Sequence, residues 1–179
     1  LLNRVISMSR GLRAMNFYVG HLFDRVHNGE TELNDEIGLL IPICKSFSTD
    51  EVFQVGVDAM QIFGGYGFCS EYGIEQFLRD SKIASIYEGT NGIQAADLVM
   101  RKILKDGGSA LTSLMAKMGK DIEGVSIQES EKTQISLMKN SMAEISKIMA
   151  HYSELAKQKK FDQVLYSSYN FLNYLGNIV

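Results

Sequence analysis

Two short stretches carry residues whose types and spacing could do chemistry. The first is Ile86-Tyr87-Glu88-Gly89-Thr90-Asn91-Gly92, a carboxylate in a turn just ahead of a helix start. Asn91 reads as the N-cap of that helix, with Gln94 three residues later in the capping-box place. A carboxylate presented this way can serve as a general base. An exposed loop glutamate beside a good cap accounts for the same letters. The second stretch is Gln61-Ile62-Phe63-Gly64-Gly65-Tyr66-Gly67-Phe68. Glycines permit positive φ and let a ligand come close to the backbone, and N–H groups left open there can hold a phosphate or the edge of a cofactor. A helix C-cap followed by a tight turn explains the cluster equally well. It is not a dinucleotide fingerprint, which needs a strand before it and a helix opening after it.

Other reactive side chains point to ordinary structural roles. Arg79-Asp80 reads as an ion pair, and Cys69 as a small half-buried side chain. His21, His27 and His151 are scattered, and the two cysteines, Cys44 and Cys69, have no zinc-ligand spacing, so no metal site is expected. Lys157, Lys159 and Lys160 read as a solvated helix end.

The elements that must position these residues are helical. The chain of 179 residues contains a single proline, Pro42, where average usage would give about nine; long uninterrupted helices account for the deficit. Apolar residues at 1, 2, 5, 8, 12, 15, 19, 22, 23 and 26 predict an amphipathic helix stopped by Asn28-Gly29. A polar connection over 30–38 then leads to a largely buried helix from Leu39 to Phe63, with Pro42 in its first turn and Gly64-Gly65 at its end. A short helix follows over 74–82, another over 91–105, and a third over 111–118 with a loop through Gly124. The repeat Ile135, Met138, Met142, Ile145, Met149, Tyr152 predicts a long helix from Gln128. It pairs through a turn near Lys159-Lys160 with a last helix carrying Phe161, Val164, Leu172 and Leu175. The expected fold is all-α: an up-down antiparallel helix bundle with an additional C-terminal helical hairpin.

Composition narrows the function classes. Lys and Arg number 18 against 21 Asp and Glu, a net charge of −3, which argues against a nucleic-acid partner. The longest apolar run, Ile37 to Cys44, is too short for a bilayer span. Sparse cysteine suits a reduced compartment, bacterial cytoplasm or mitochondrial matrix. Both ends lie on apolar stripes, as expected of a piece of a longer protein.

The stretch 61–94 read as a whole is more specific than either motif. The succession Q-I-F-G-G-Y-G-F, E-Y-G-I-E-Q-F-L-R-D-S-K-I and I-Y-E-G-T-N-G-I-Q resembles the C-terminal signature of the acyl-CoA dehydrogenases. Residues 1–60 are similar to the preceding helices of that domain, more loosely. The helices beyond 106 resemble the longer members that carry a helical extension, such as the 3-methylmercaptopropionyl-CoA dehydrogenase-like group. Gly73 departs from the pattern, since many relatives have proline there.

The resemblance implies a division into a C-terminal helical domain, 1–105, and a helical extension, 106–179. It implies oxidation of an acyl-CoA thioester to the trans-2-enoyl-CoA, with FAD as cofactor and electron-transfer flavoprotein as electron acceptor. By motif position Glu88 matches the catalytic base, while Tyr87 and Gly89 match substrate contacts. Thr90, Asn91 and Gly92 match the flavin-contacting turn, and Gln61, Gly64 and Gly65 the segment that reaches the FAD of a neighbouring subunit in a homodimer or homotetramer. The N-terminal helical domain and middle β-domain of the family are not in this sequence. Two other readings stand beside it: a helical oligomerisation module with no chemistry of its own, and an acyl-CoA oxidase-like flavoenzyme.

Overall fold

The computed structural model describes residues 1–126 and 128–179, and among them every regular element is helical. Helix α1 (Leu2–His27) buries Met15, Val19 and Leu22 and ends at Asn28, after which Gly29 takes a φ of 107°. A 3₁₀ turn over Thr31–Leu33 leads into α2 (Asn34–Phe63), the central helix, which packs against α1, against α4 (Ile74–Lys82), against α5 (Asn91–Asp97) and against the last helix, α8 (Phe161–Gly176).

Helix α2 starts at Asn34, not Leu39, so Pro42 lies inside it and not in its first turn. Asp35 and Glu36 occupy the first turn, where the helix dipole favours carboxylates. Pro42 has no N–H for the Gly38 carbonyl, and an interior proline costs about 3 kcal/mol. Burial of the surrounding residues offsets this. Ile37, Leu39, Leu40, Ile43 and Phe47 are all in the core, and each such side chain contributes about 1.5–3 kcal/mol.

Helix α2 stops where Gly64 adopts φ 60° and ψ −142°, a conformation open to little but glycine. The glycine cluster is not a plain turn. Gly65–Phe68 forms a one-turn helix, α3, in which a Cβ on Gly67 would stand 2.6 Å from the Met60 carbonyl oxygen. Gly73 (φ 69°) then opens α4.

The cap of α5 is Thr90, whose Oγ1 accepts from the Ile93 N–H at 3.4 Å, and not Asn91. The expected regular helix to Lys105 changes winding. Residues Leu98–Ile103 form a π-helical segment, with Leu104 N–H donating to the Val99 carbonyl at 2.9 Å. The wider winding brings Leu98, Val99 and Ile103 into the core together.

Helix α6 runs Ser109–Gly124, so the expected loop through Gly124 is helical. The Asp106 carboxylate starts it, accepting from Gly108 N–H at 2.8 Å and Ala110 N–H at 2.9 Å. Helix α7 (Lys132–Lys157) follows a 3₁₀ turn at Glu129–Glu131 and pairs with α8 as a hairpin around Lys159, itself at φ 58°. The hairpin is stitched by Tyr152 Oη and Ser167 Oγ at 2.9 Å and by an edge-on Tyr152–Phe171 contact. One core cluster draws side chains from α1, α2, α5, the π segment, α6, α7 and α8. Glu36 on α2 ties α6 to this core by an ion pair with Lys117 at 3.0 Å, with Tyr18 of α1 bonded to both.

Candidate functional site

The turn that carries Glu88 is docked on the middle of α2. Burial of Asn91 does most of this: its side chain is 5% exposed, and its amide nitrogen donates to the Ser46 carbonyl at 3.2 Å and to Thr49 Oγ1 at 3.0 Å. The Lys45 ammonium closes the other side, donating to Asn91 Oδ1 at 2.7 Å and to the Gly89 carbonyl at 2.8 Å. Burial pushes the Lys45 ammonium below its ordinary value of 10.5, while the nearby Asp50 and Glu88 carboxylates pull it back up. Gln94 adds a bond from Nε2 to the Glu88 carbonyl at 3.2 Å.

Within this frame Glu88 and Gly89 are consecutive residues of positive φ, 53° and 86°. A glutamate there is strained by about 1–2 kcal/mol. The Glu88 side chain is exposed, and among the described residues its carboxylate has no hydrogen-bond partner. A carboxylate on a fixed backbone with free lone pairs can accept a proton from a molecule brought against it. Tyr87, 53% exposed, lies beside it.

Of the residues expected to form the site, Tyr87, Glu88, Gly89, Thr90, Asn91 and Gly92 share this turn. The Asn91 side chain faces α2 and is used up by it, whereas Thr90 and Gly92 are exposed. Gln61, Gly64 and Gly65 are exposed at the far end of α2. Lys45 and Gln61 are separated by about 24 Å along the helix axis at 1.5 Å per residue. The fold thus makes two separate faces of these residues.

Lys45, Ser46 and Thr49 are the residues that motif reading missed. The available signal was Lys45 itself, the sole basic residue of α2, set within an apolar stretch.

Three grooves are lined by residues outside the Glu88 turn. One of about 490 Å³ separates α7 from α8, one of about 440 Å³ lies between α1 and the C-terminal residues, and one of about 410 Å³ runs between α2 and α4. Among the described residues no cluster of His, Cys, Asp or Glu could hold a metal ion, and no helix is long and apolar enough to cross a membrane.

Comparison with known proteins places the chain. Residues 1–103 match the model of the acyl-CoA dehydrogenase C-terminal domain. The chain is 40% identical over 112 residues to the 3-methylmercaptopropionyl-CoA dehydrogenase of Ruegeria pomeroyi, covering 60% of this chain and 19% of that protein. It is 30% identical over 148 residues to the broad-specificity linear acyl-CoA dehydrogenase FadE5 of Mycobacterium tuberculosis, covering 79% of this chain and 24% of the relative. It therefore spans about a fifth to a quarter of the length of these relatives. Among solved structures, Caenorhabditis elegans ACDH-11 in complex with C11-CoA superposes with a TM-score of 0.68 at 18% identity, over 92% of this chain and 28% of that one. The apo form of Bd2924 superposes over 99% of this chain and 31% of its own, with a TM-score of 0.64 at 20% identity. These two likenesses show the shared fold. With the family model covering more than half of its length, the chain belongs to the acyl-CoA dehydrogenase family.

Proposed function

We propose that this chain is the C-terminal part of an FAD-dependent acyl-CoA dehydrogenase, with residues 1–105 the catalytic helical domain and 106–179 a helical extension. Glu88 is its general base. The observation that carries this reading is the Glu88 turn: its backbone is fixed to α2 by Asn91 and Lys45, while its carboxylate is exposed and unpartnered.

Each residue of the turn has a part. Glu88 takes the α-proton of the acyl thioester, and its carboxylate gains basicity when bound substrate excludes water from it. Gly89 lets the backbone approach the thioester; its φ of 86° bars other residues without strain. Tyr87 offers an apolar wall to the acyl chain. FAD, when bound, supplies the acceptor for the β-hydrogen as hydride.

The residues present fit two edges of a flavin site and do not enclose one. A Cβ added at Gly64 or Gly65 would meet nothing within 4 Å, so this backbone is open to an approaching group. Thr90 and Gly92 are likewise exposed, on the other face. The distance between the two faces suits contact of Gln61, Gly64 and Gly65 with the flavin of a second subunit, hence a homodimer or homotetramer. The substrate is an acyl-CoA, and the electron acceptor an electron-transfer flavoprotein. A reduced compartment, bacterial cytoplasm or mitochondrial matrix, suits the two free cysteines.

A second reading is favoured for the chain in isolation. Glu88 is exposed and lines none of these three grooves, so residues 1–179 alone behave as a helical module without turnover.

Replacing Glu88 by Gln in the full-length flavoprotein tests the reading. Turnover should fall about 10²–10⁴-fold, the scale of general-base catalysis. Flavin content and thermal stability should hold, and Glu71→Gln or Glu75→Gln should keep most of the rate. Near-normal α,β-dehydrogenation by Glu88→Gln would place the base elsewhere.

A further inference from the structure

The turn that presents Glu88 has little internal support. Ile86 and Tyr87 both donate to the Ile83 carbonyl, at 2.9 and 3.1 Å, and the positive-φ pair Glu88–Gly89 follows. From there to Asn91 the backbone is held at Thr90 by the start of α5, where Gln94 N–H donates to the Thr90 carbonyl at 3.0 Å, and otherwise by side chains: Gln94 on the Glu88 carbonyl, Lys45 on the Gly89 carbonyl, and Asn91 against α2.

These ties are unequal. The Gln94 bond is a single neutral one at 3.2 Å from a half-buried side chain. Lys45 makes two charge-assisted bonds, at 2.7 and 2.8 Å, from a half-buried stem on the central helix. Charge-assisted bonds are roughly twice as strong as neutral ones. One ammonium thus grips two points just beyond the glutamate. The charged groups that face it are Asp50, from α2 itself, and Glu88, from the turn.

We propose that Lys45 is a positioning residue of the dehydrogenation reaction: its ammonium fixes the Gly89 carbonyl and Asn91 side chain, and so sets where the Glu88 carboxylate meets the substrate α-proton. This rests on Glu88 being the base. Lys45 donates both of its bonds to this chain's own atoms and needs no contact with substrate or cofactor. Its effect falls on the proton-abstraction step, because displacement of a catalytic group by about 1 Å costs on the order of 10²-fold in rate.

The test uses the full-length flavoprotein, with Lys45→Met, Lys45→Gln and Lys45→Arg beside Glu88→Gln. Flavin reduction by acyl-CoA is followed in single turnover, with protiated and α-deuterated substrate. For Lys45→Met the expected reduction rate is about 10–100-fold lower, with substrate affinity within about 2-fold and flavin content unchanged. The α-deuterium isotope effect should rise, because proton abstraction becomes more limiting. Lys45→Arg should recover most of the rate, having donors enough for both bonds. If Lys45→Met does not fold, Lys45→Gln carries the same readouts.

An unchanged reduction rate would overturn the proposal. So would a loss that follows flavin content and melting temperature with the isotope effect unmoved, since that is what a merely structural lysine would produce. If Glu88→Gln keeps its rate, the assignment of the base fails and the role of Lys45 with it. If Glu88→Gln is inactive and Lys45→Met is normal, the proposal for Lys45 alone fails.

Discussion

A methyl group placed on Gly176 would stand 2.4 Å from Cγ of Phe47. The last helix therefore meets α2 backbone against ring, at the side chain next to the Ser46 carbonyl that anchors Asn91. Gly176→Ala must push α8 away or turn Phe47 out of its rotamer. The expected cost is about 1–3 kcal/mol, typical of overpacking, read as a melting temperature lower by about 2–4 °C per kcal/mol for a chain of this size. An exposed glycine of α1, Gly11, has nothing within 4 Å of its added Cβ. Gly11→Ala should stabilise by up to about 1 kcal/mol.

Asn91 of α5 and Ser46 of α2, neighbours across the same contact, should respond in opposite directions. Asn91→Leu leaves the Lys45 ammonium and the Ser46 carbonyl without their buried partner, and loses about 2–4 kcal/mol in urea denaturation. Ser46 Oγ, by contrast, is buried with no partner among the described residues. Ser46→Ala removes that unsatisfied hydroxyl, so it should be neutral or stabilising by about 1 kcal/mol.

Glu88 is held in a backbone conformation that suits glycine better than glutamate. Glu88→Gly should therefore raise the unfolding free energy in urea by about 0.5–1 kcal/mol, the relief of strain exceeding the entropy gained by the unfolded chain. The same change removes the proposed base. Equal or lower stability of Glu88→Gly would show that the turn is not strained at this residue.

Alkaline pH should unfold the protein through its tyrosines and Lys117. Burial and the bond to Glu36 raise the Tyr18 hydroxyl above its ordinary 10.0, although Lys117 works against this. Burial raises Tyr152 and Tyr169 too, with Asp50 adding to the shift at Tyr169. Burial opposes the Lys117 ammonium, but its bonds to Tyr18 and Glu36 lift it above 10.5. A group raised in the folded state contributes its stability in full below the unfolded value and loses it as pH climbs through the folded one. The urea midpoint should therefore fall as pH passes about 10. Lys45, whose value is lowered by burial, runs the other way and offsets part of the fall. Tyr18→Phe should make the decline shallower; an unchanged slope would remove Tyr18 from the account.

Local chemistry settled much of this protein. Helices α1, α7 and α8 follow from apolar spacing, because each must turn one stripe toward a core. The glycines at 64 and 89 mark real positive-φ turns, because a missing Cβ is a local property. The Glu88 turn was legible for the same reason, being seven consecutive residues. Local rules failed where a distant contact decided the outcome. Asn91 fits a cap, yet a polar pocket on α2 draws its side chain inward, and Thr90 caps instead. Pro42 reads as a helix start, but burial of Ile37, Leu39 and Leu40 carries α2 back to Asn34 around it. The π winding over 98–103 satisfies core positions that no single-helix pattern contains. Lys45 lies 44 residues from the carbonyl it holds. Only tertiary packing could bring the two together, since a hydrogen bond depends on a distance of about 3 Å and the chain between them passes through two other helices before it closes.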